Sequence, residues 1–381
     1  MLHKKIGVLG GGQLGKMLCQ AASKLGLRLH ILERDDSFPA AGVCPDITYG
    51  DFSDYDDVYA FGQQMDIITV EIEAVNTAAL HQLVAEGKKV FPQPHVLDTI
   101  RDKGLQKQFY EQSQIPSSAY QIFDTAEQVR SAVASGEWTL PFVQKTRTDG
   151  YDGQGVKVVR TADDLEHLLE APCLVEALVD IDKELAVIVA RREDGHMVSY
   201  PVVEMEFHPT ANLVEYLFAP SATTDQVQSA AVTLSERVAE QLGIVGLLAV
   251  ELFLTTDGEL LVNEVAPRPH NSGHQTIEGN VTSQYQQHIR AIAGLPLGDT
   301  AATGASVMVN LLGAPDTTGP AHYHGISECL AISGAHYHIY GKAMTKPYRK
   351  MGHATVVDAS LAEAKTKATL IKNALQIKVH E

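Results

Sequence analysis

Glu251 and Glu264 stand on two apolar runs, LAVELFLTT and ELLVNEVAPR, on either side of Asp257-Gly258. Asp-Gly between such runs predicts a two-residue hairpin turn, which would place Phe253 opposite Val262 and Glu251 opposite Glu264. Carboxylates directly opposite on one sheet face repel each other. A divalent cation between them reverses the sign, and Mg2+ takes one or two carboxylates together with substrate phosphates. Strict alternation sends Asn263 to the other face, so it would join the pair only through a local twist.

Three further stretches have the residue types for binding nucleotides. In FVQKTRTDGYDGQGVKVV, Lys145 ends a strand that runs into Gly150, Gly153 and Gly155. Those glycines free the backbone to fold over a ligand and aim N–H groups at phosphate oxygens, though a mobile hairpin tip would read the same way. Downstream, CLVE ends on Glu176, followed by Ala177 and Leu178, and Glu184 opens the next apolar run. A strand end of this kind could hold an adenine edge and a second carboxylate could take ribose hydroxyls. Either glutamate taken singly is more often a solvated strand terminus. In GKAMTKPYRK, Lys342, Lys346, Arg349 and Lys350 make either a phosphomonoester pocket or a solvated basic face.

The start of the chain points elsewhere. IGVLGGGQLGKM places Gly10, Gly12 and Gly15 in the spacing G-x-G-x-x-G, and Glu33 ends the next apolar run. That is the dinucleotide fingerprint with its acidic ribose ligand, so an NAD(P)-linked oxidoreductase is one reading. The pairs His322/His324 and His336/His338 raise a third, zinc binding, because alternation puts each pair on one strand face. Such histidines are more often packed or exposed strand residues.

Elements must position these groups. Residues 1–97 alternate strand (5–9, 28–32, 66–72, 89–91) and helix (13–25, 77–86) patterns, which predicts an α/β parallel-sheet domain that Pro92 and Pro94 end. Asp98 reads as the N-cap of a helix to about residue 112, with Ile100, Leu105 and Phe109 as its apolar stripe. Residues 98–294 then read as α+β, with helices at 162–169 and 225–242. Residues 295–381 read as a small β-rich domain, with strands at 307–312, 328–332 and 336–340 and a closing helix at 360–375.

Composition narrows the function classes. A net charge of −17 argues against a nucleic-acid or anionic-membrane binder, since both need a basic surface. Cys19, Cys44, Cys173 and Cys329 form no CxxC pair, so reduced thiols are expected rather than a zinc knuckle or disulfide framework. With no signal peptide and no span long enough for a bilayer, a soluble cytoplasmic protein is expected.

Taken together, GGGQLGKML, TVEIEAV, KTRTDGYDGQGV, NEVAPRPHNSGHQT and YRKMGHATV resemble the N5-carboxyaminoimidazole ribonucleotide synthetases of the ATP-grasp superfamily, in order along nearly the whole chain. The resemblance implies a Rossmann-like pre-ATP-grasp domain, a central ATP-grasp domain and a small C-terminal domain, in a homodimer. It implies use of ATP, Mg2+ and bicarbonate to carboxylate the exocyclic amine of 5-aminoimidazole ribonucleotide through carboxyphosphate, in purine biosynthesis. Lys103 and Lys145 would hold ATP phosphates. Gly150, Tyr151, Asp152, Gly153, Gln154 and Gly155 would form the lid. Glu176, Ala177 and Leu178 would take the adenine side and Glu184 the ribose. Glu251 and Glu264 would bind Mg2+, with Asn263 beside them. Gln13, Leu14, Glu73, Tyr151, Arg268, His270 and Asn271 would contact the substrate, and Lys342 and Arg349 its phosphate. Asp152, Arg268 and His270 are the implied catalytic set, with Asp152 as candidate base.

Three positions depart from the family pattern: Gln154 replaces a common cation, Asp149 a frequent glycine and Tyr348 a usual glycine. The nearest alternatives inside the superfamily are a formate-dependent glycinamide ribonucleotide formyltransferase and a biotin carboxylase, which PRPHNSGHQT and RKMGH disfavour.

Overall fold

The computed structural model describes residues 3–35, 37–148, 150, 155–207 and 213–379. Tyr151, Asp152, Gly153 and Gln154, together with Asp149, lie outside the described residues. The first 101 residues alternate as β1 (Ile6–Leu9), α1 (Gln13–Ser23), β2 (Leu29–Glu33), β3 (Asp46–Tyr49), α2 (Tyr55–Gln63), β4 (Ile67–Val70), α3 (Thr77–Ala85), β5 (Lys89–Val90) and α4 (Pro94–Arg101). Their strands form a parallel sheet in the order β3-β2-β1-β4-β5. Both faces of β1 and β4 are buried, as a parallel sheet flanked by helices requires.

The helix expected over 98–112 is two helices. Pro94 opens α4 instead of ending the preceding unit, and at Asp102 the backbone turns extended (φ −104°, ψ 109°) before α5 (Lys103–Gln112). Asp102 caps α5 by accepting from Gly104 and Leu105 N–H. The break rotates the apolar stripe, so that Leu105 is exposed while Tyr110 is buried.

Next come β6 (Tyr120–Phe123), α6 (Ala126–Ser135), β7 (Phe142–Thr146), β8 (Val156–Val159) and β9 (Cys173–Ala177), whose strands pair antiparallel in the order β6-β9-β7-β8. The segment expected as a helix at 162–169 is a short 3-10 turn, Asp163–His167. Helix α6, capped by Thr125 and closed by left-handed Gly136, was not anticipated.

The large antiparallel sheet is built from β10 (Ile181–Arg191), β11 (Met197–Ser199), β12 (Val203–Phe207), β13 (Val214–Ala219), β14 (Gly246–Thr255) and β15 (Leu260–Ala266), with α7 (Asp225–Leu242) packed against it. Helices α8 (Thr276–Gly279) and α9 (Gln284–Ala293) follow; α9 begins with a Ser283/Gln286 capping box. The C-terminal segment is β-rich as expected: β16 (Ala305–Leu312), β17 (Gly319–Pro320), β18 (His322–His324), α10 (Ile326–Leu330), β19 (Ala335–Ile339), β20 (Met344–Thr345), β21 (Lys350–Asp358), α11 (Leu361–Ala374) and β22 (Gln376–Lys378). Strands β16, β21 and β19 continue the large sheet through β13. The expected strand at 328–332 is instead helix α10, because Ile326, Cys329 and Leu330 follow helical rather than alternate spacing, with Cys329 buried.

The β14–β15 hairpin turns over three residues, not two. Leu254 pairs with Leu260, and Thr256, Asp257 and Gly258 form the loop, with Gly258 at φ +84°. Phe253 therefore faces Leu261 rather than Val262. A β-bulge further along then shifts the register back, and Val250 pairs with Val265. The bulge has a packing cause. Val262 and Val265 both reach the core shared with α7, three residues apart, so Asn263 and Glu264 are both turned to the opposite face.

Gly258 is therefore expected to be the sensitive residue of this turn. Gly258→Ala should lower the chemical-denaturation midpoint by the equivalent of about 1 kcal/mol, the cost of a left-handed side-chain residue, while Asp257→Ala should shift it by about 0.5 kcal/mol or less. Equal shifts would contradict the assigned loop.

Candidate active site

The bulge creates one acidic face. On β10 and β14, residues Leu185, Val187, Leu248, Val250 and Leu252 enter the α7 core, so Glu184 and Glu251 project to the other side. Asn263 and Glu264 join them there: Asn263 Nδ2 lies 3.5 Å from Glu251 Oε2. The expected opposition of Glu251 and Glu264 is thus recovered by the bulge rather than by the turn.

Two lysines meet this face from other elements, and a third stands behind them. The helix break at Asp102 puts Lys103 at the first position of α5, and its Nζ is 2.6 Å from Glu264 Oε2. Arg147 fixes that helix end, with a bidentate pair to Asp102 at 3.0 and 2.5 Å and its carbonyl accepting from Lys103 N–H. Lys145, at the end of β7, donates to Asn263 Oδ1 (3.0 Å) and pairs with Glu176 Oε2 (2.9 Å). Lys107, one turn beyond Lys103, pairs with Glu176 Oε1 at 3.2 Å. Thr146 N–H donates to Gly155 O, which returns the chain beside Lys145 after the glycine-rich segment.

These contacts divide the two carboxylates. Burial, and then the neighbouring Glu264, push the Glu251 carboxyl up to about 8. Lys103 foremost holds Glu264 down to about 2. Burial likewise raises Glu184 to about 7. A hard divalent cation fits this set: two oxygen donors, one of them kept protonated only by burial and its neighbour's charge.

The segment after β15 forms the second half of the site. Arg268 Nε pairs with Glu73 Oε1 (2.8 Å) of the N-terminal domain, and His270 Nε2 lies 3.7 Å from Glu251 Oε1. Gln284, at the start of α9, clamps the loop by accepting from His270 N–H and donating to its carbonyl (2.9 and 2.8 Å). The side-chain amide of Asn271 is buried, with neither atom hydrogen-bonded among the described residues. Behind the loop, His353 lies between two other rings, tilted against His274 at 4.6 Å and stacked on His338 at 4.5 Å between ring centres.

Other expected residues sit differently. Leu14 is buried in the core under α1. Lys342 donates to the Lys350 carbonyl and Arg349 to that of Met344, whereas it is the Lys350 charge that bears on Glu251 and His274. Tyr348 adopts φ +57°, the left-handed conformation that the glycine expected there would take without strain. Both Glu176 oxygens are engaged by lysines. Among the described residues, no group of three or more His, Cys, Asp or Glu is placed to hold a metal ion, so neither histidine pair has the further ligands of a zinc site.

The glycine turn proves to be closed by the chain itself. Gly11 N–H donates to Glu33 Oε2 (2.8 Å), and Glu71 takes the N–H groups of Gly12 and Gly15 at the start of α1, the latter at 3.2 Å. A Cβ on Gly12 would lie 2.5 Å from Glu71 Oε1. The positions that a dinucleotide pyrophosphate would occupy hold carboxylates, and the acidic residue expected on the ribose holds the turn. That arrangement opposes the oxidoreductase reading. Glu71, Lys107 and Arg147 were not singled out from the sequence; the one available signal was the i, i+4 spacing of Lys103 and Lys107.

Parallel α/β domain, lysine-lined antiparallel sheet and acidic hairpin together define an ATP-grasp protein. Family models agree: residues 3–101 match the ribonucleotide synthetase preATP-grasp domain, 108–285 the ATP-grasp domain, and 306–367 the phosphoribosylaminoimidazole carboxylase C-terminal domain. The chain is 36% identical to the N5-carboxyaminoimidazole ribonucleotide synthase of Synechococcus elongatus over 92% of its own length and 89% of that protein's. It is 37% identical to the phosphoribosylaminoimidazole carboxylase of Ogataea methanolica, spanning 98% of this chain and 70% of that longer protein. Among solved structures, the Thermotoga maritima N5-carboxyaminoimidazole ribonucleotide synthetase superimposes with a TM-score of 0.91 at 40% identity, covering 99% of this chain and 100% of that one. An Aspergillus clavatus N5-carboxyaminoimidazole synthase in complex with ADP and 5-aminoimidazole ribonucleotide gives 0.89 at 32% identity, covering 98% of each chain. The chain belongs to the N5-carboxyaminoimidazole ribonucleotide synthetase family.

The carboxylate assignment predicts a pH signature. A Glu251 carboxyl near 8 in the fold against an ordinary 4.5 binds its proton more tightly folded than unfolded. Its stabilising contribution is full below pH 4.5 and is lost as pH rises through 8. Without divalent cations, wild type should lose on the order of 2 kcal/mol more stability than Glu251→Gln between pH 6 and pH 8. Denaturant midpoints at both pH values measure this, and parallel losses in the two proteins would refute it.

Proposed function

We propose that the chain carboxylates 5-aminoimidazole ribonucleotide to N5-carboxyaminoimidazole ribonucleotide, consuming ATP and bicarbonate and releasing ADP and phosphate, in purine biosynthesis. The observation that carries this reading is the convergence of Lys103, Lys145, Glu251 and Glu264 on one sheet face that continues directly into the Arg268–His270–Asn271 loop. One half of the site suits a triphosphate and the other a second, polar substrate.

Phosphoryl transfer needs positioning and charge neutralisation rather than covalent help from the protein. In this reading Lys103 and Lys145 hold the ATP phosphates, while Ala177 and Leu178 meet the adenine edge and Glu184 the ribose. Gly150 to Gly155 close over the phosphates and exclude water, which protects the labile carboxyphosphate formed from bicarbonate. Glu251 and Glu264, with Asn263 between them, would hold Mg2+, which when bound neutralises charge on the transferring phosphoryl group. Arg268 and His270 orient bicarbonate and the incoming amine next to Glu251, and Asp152 takes the amine proton. The ribonucleotide is held by Gln13, Glu73, Tyr151 and Asn271, with Lys342 and Arg349 on its phosphate. Division of the chain after residues 97 and 294, a homodimer, and a cytoplasmic location complete the proposal.

Release of ADP from ATP in the presence of Mg2+ and bicarbonate tests it. Release should rise at least about tenfold on adding 5-aminoimidazole ribonucleotide, and Glu264→Gln should lose about 100-fold or more of that rate while keeping wild-type circular dichroism. Unstimulated ADP release, or a fully active Glu264→Gln, would sink the assignment.

A further inference from the structure

Lys107 is 2% exposed and Glu176 4% exposed, and neither is placed like a ligand-binding side chain. All three ammonium donors of Lys107 are used within the protein, by Glu176 Oε1 (3.2 Å), Ser118 Oγ (2.9 Å) and Ser118 O (3.3 Å). The other oxygen of Glu176 receives Lys145 Nζ at 2.9 Å, and Lys145 passes on to Asn263 Oδ1 at 3.0 Å. The result is a buried chain of contacts from Ser118 to the acidic face.

The charge count of this trio is its informative feature. A Lys145–Glu176 pair alone would be neutral, and its attraction for a phosphate would be largely cancelled. With Lys107 on the far oxygen, Glu176 is already compensated, and the trio carries a net positive charge that faces the ligand through Lys145. Glu176 also fixes the Lys145 ammonium in space, as a bidentate acceptor between two lysines would. With both its oxygens engaged, its carboxylate is poorly placed to read the amine of an adenine ring.

We propose that Lys107, acting through Glu176, is a positioning residue that keeps Lys145 both fixed and effectively cationic for the nucleotide phosphates, and that Glu176 serves the phosphate end of the site rather than the base. This rests on ATP being the nucleotide.

Calorimetric titration of ADP and of adenosine, with Mg2+, into wild type, Lys107→Met, Lys107→Arg and the double variant Lys107→Met/Glu176→Gln tests it, each protein first checked for wild-type circular dichroism. Lys107→Met should weaken ADP about 10- to 100-fold, the factor carried by one charge-assisted hydrogen bond, and leave adenosine within about twofold. Lys107→Arg should retain ADP affinity within about threefold. The double variant restores the positive charge by removing the carboxylate, and should bind ADP more tightly than Lys107→Met; a lysine needed only for packing or stability predicts a double variant as weak or weaker. Equal losses for ADP and adenosine in Lys107→Met, or a double variant that binds ADP no more tightly than Lys107→Met, would overturn the inference. A wild-type chain that binds adenosine and ADP equally would overturn it too, whereas one that binds neither removes the ATP reading on which it stands.

Discussion

Much of the site depends on a β-bulge. Val262 and Val265 both belong to the core beneath the β14–β15 hairpin, and a regular strand cannot point residues three apart to the same side. The extra residue this forces is Asn263 or Glu264, according to which is counted as unpaired. Burial of two valines, worth roughly 1.5–3 kcal/mol each, thereby places an amide and a carboxylate opposite Glu251. The lysines of α5 and β7 have something to converge on only because of that packing choice. Stability and chemistry here share one cause.

The N-terminal domain shows the reverse relation. Its glycine turn has the backbone of a dinucleotide site, and the N–H groups at the start of α1 would welcome an anion. Glu71 supplies that anion from within, and Glu33 secures Gly11. Burial raises the Glu71 carboxyl, the cost of using a side chain where other folds use a phosphate. What the domain then offers the active site is an edge: Glu73, two residues on, reaches Arg268 in the loop after β15. A shared backbone motif has become a structural joint, which is why the fold alone could not settle the ligand.

Legibility followed periodicity. Strong signals such as β1–α1, α7 and α11 were readable, and so was a hairpin at Asp257-Gly258, but its two-residue register was wrong and Glu264 faces the Glu251 side only because of the bulge. The bulge was not, since nothing in ELLVNEVAPR says that Val265 rather than Glu264 seeks the core. The break at Asp102 was hidden because Asp98 and Asp102 are both acceptable caps and only tertiary packing chooses the second. Lys107 and Glu71 escaped notice for a common reason: a charged residue on an amphipathic pattern reads as solvent-facing until a buried partner is known. Long-range pairing, not local preference, supplied those partners.

A crystal structure of the chain with ADP, Mg2+ and 5-aminoimidazole ribonucleotide would test the central claim most directly. The account predicts the diphosphate between Lys103, Lys145 and the Glu251–Glu264 pair, with the Gly10–Gly15 turn still closed on Glu71. A diphosphate bound on that turn, with Glu71 displaced and the acidic hairpin empty, would contradict it.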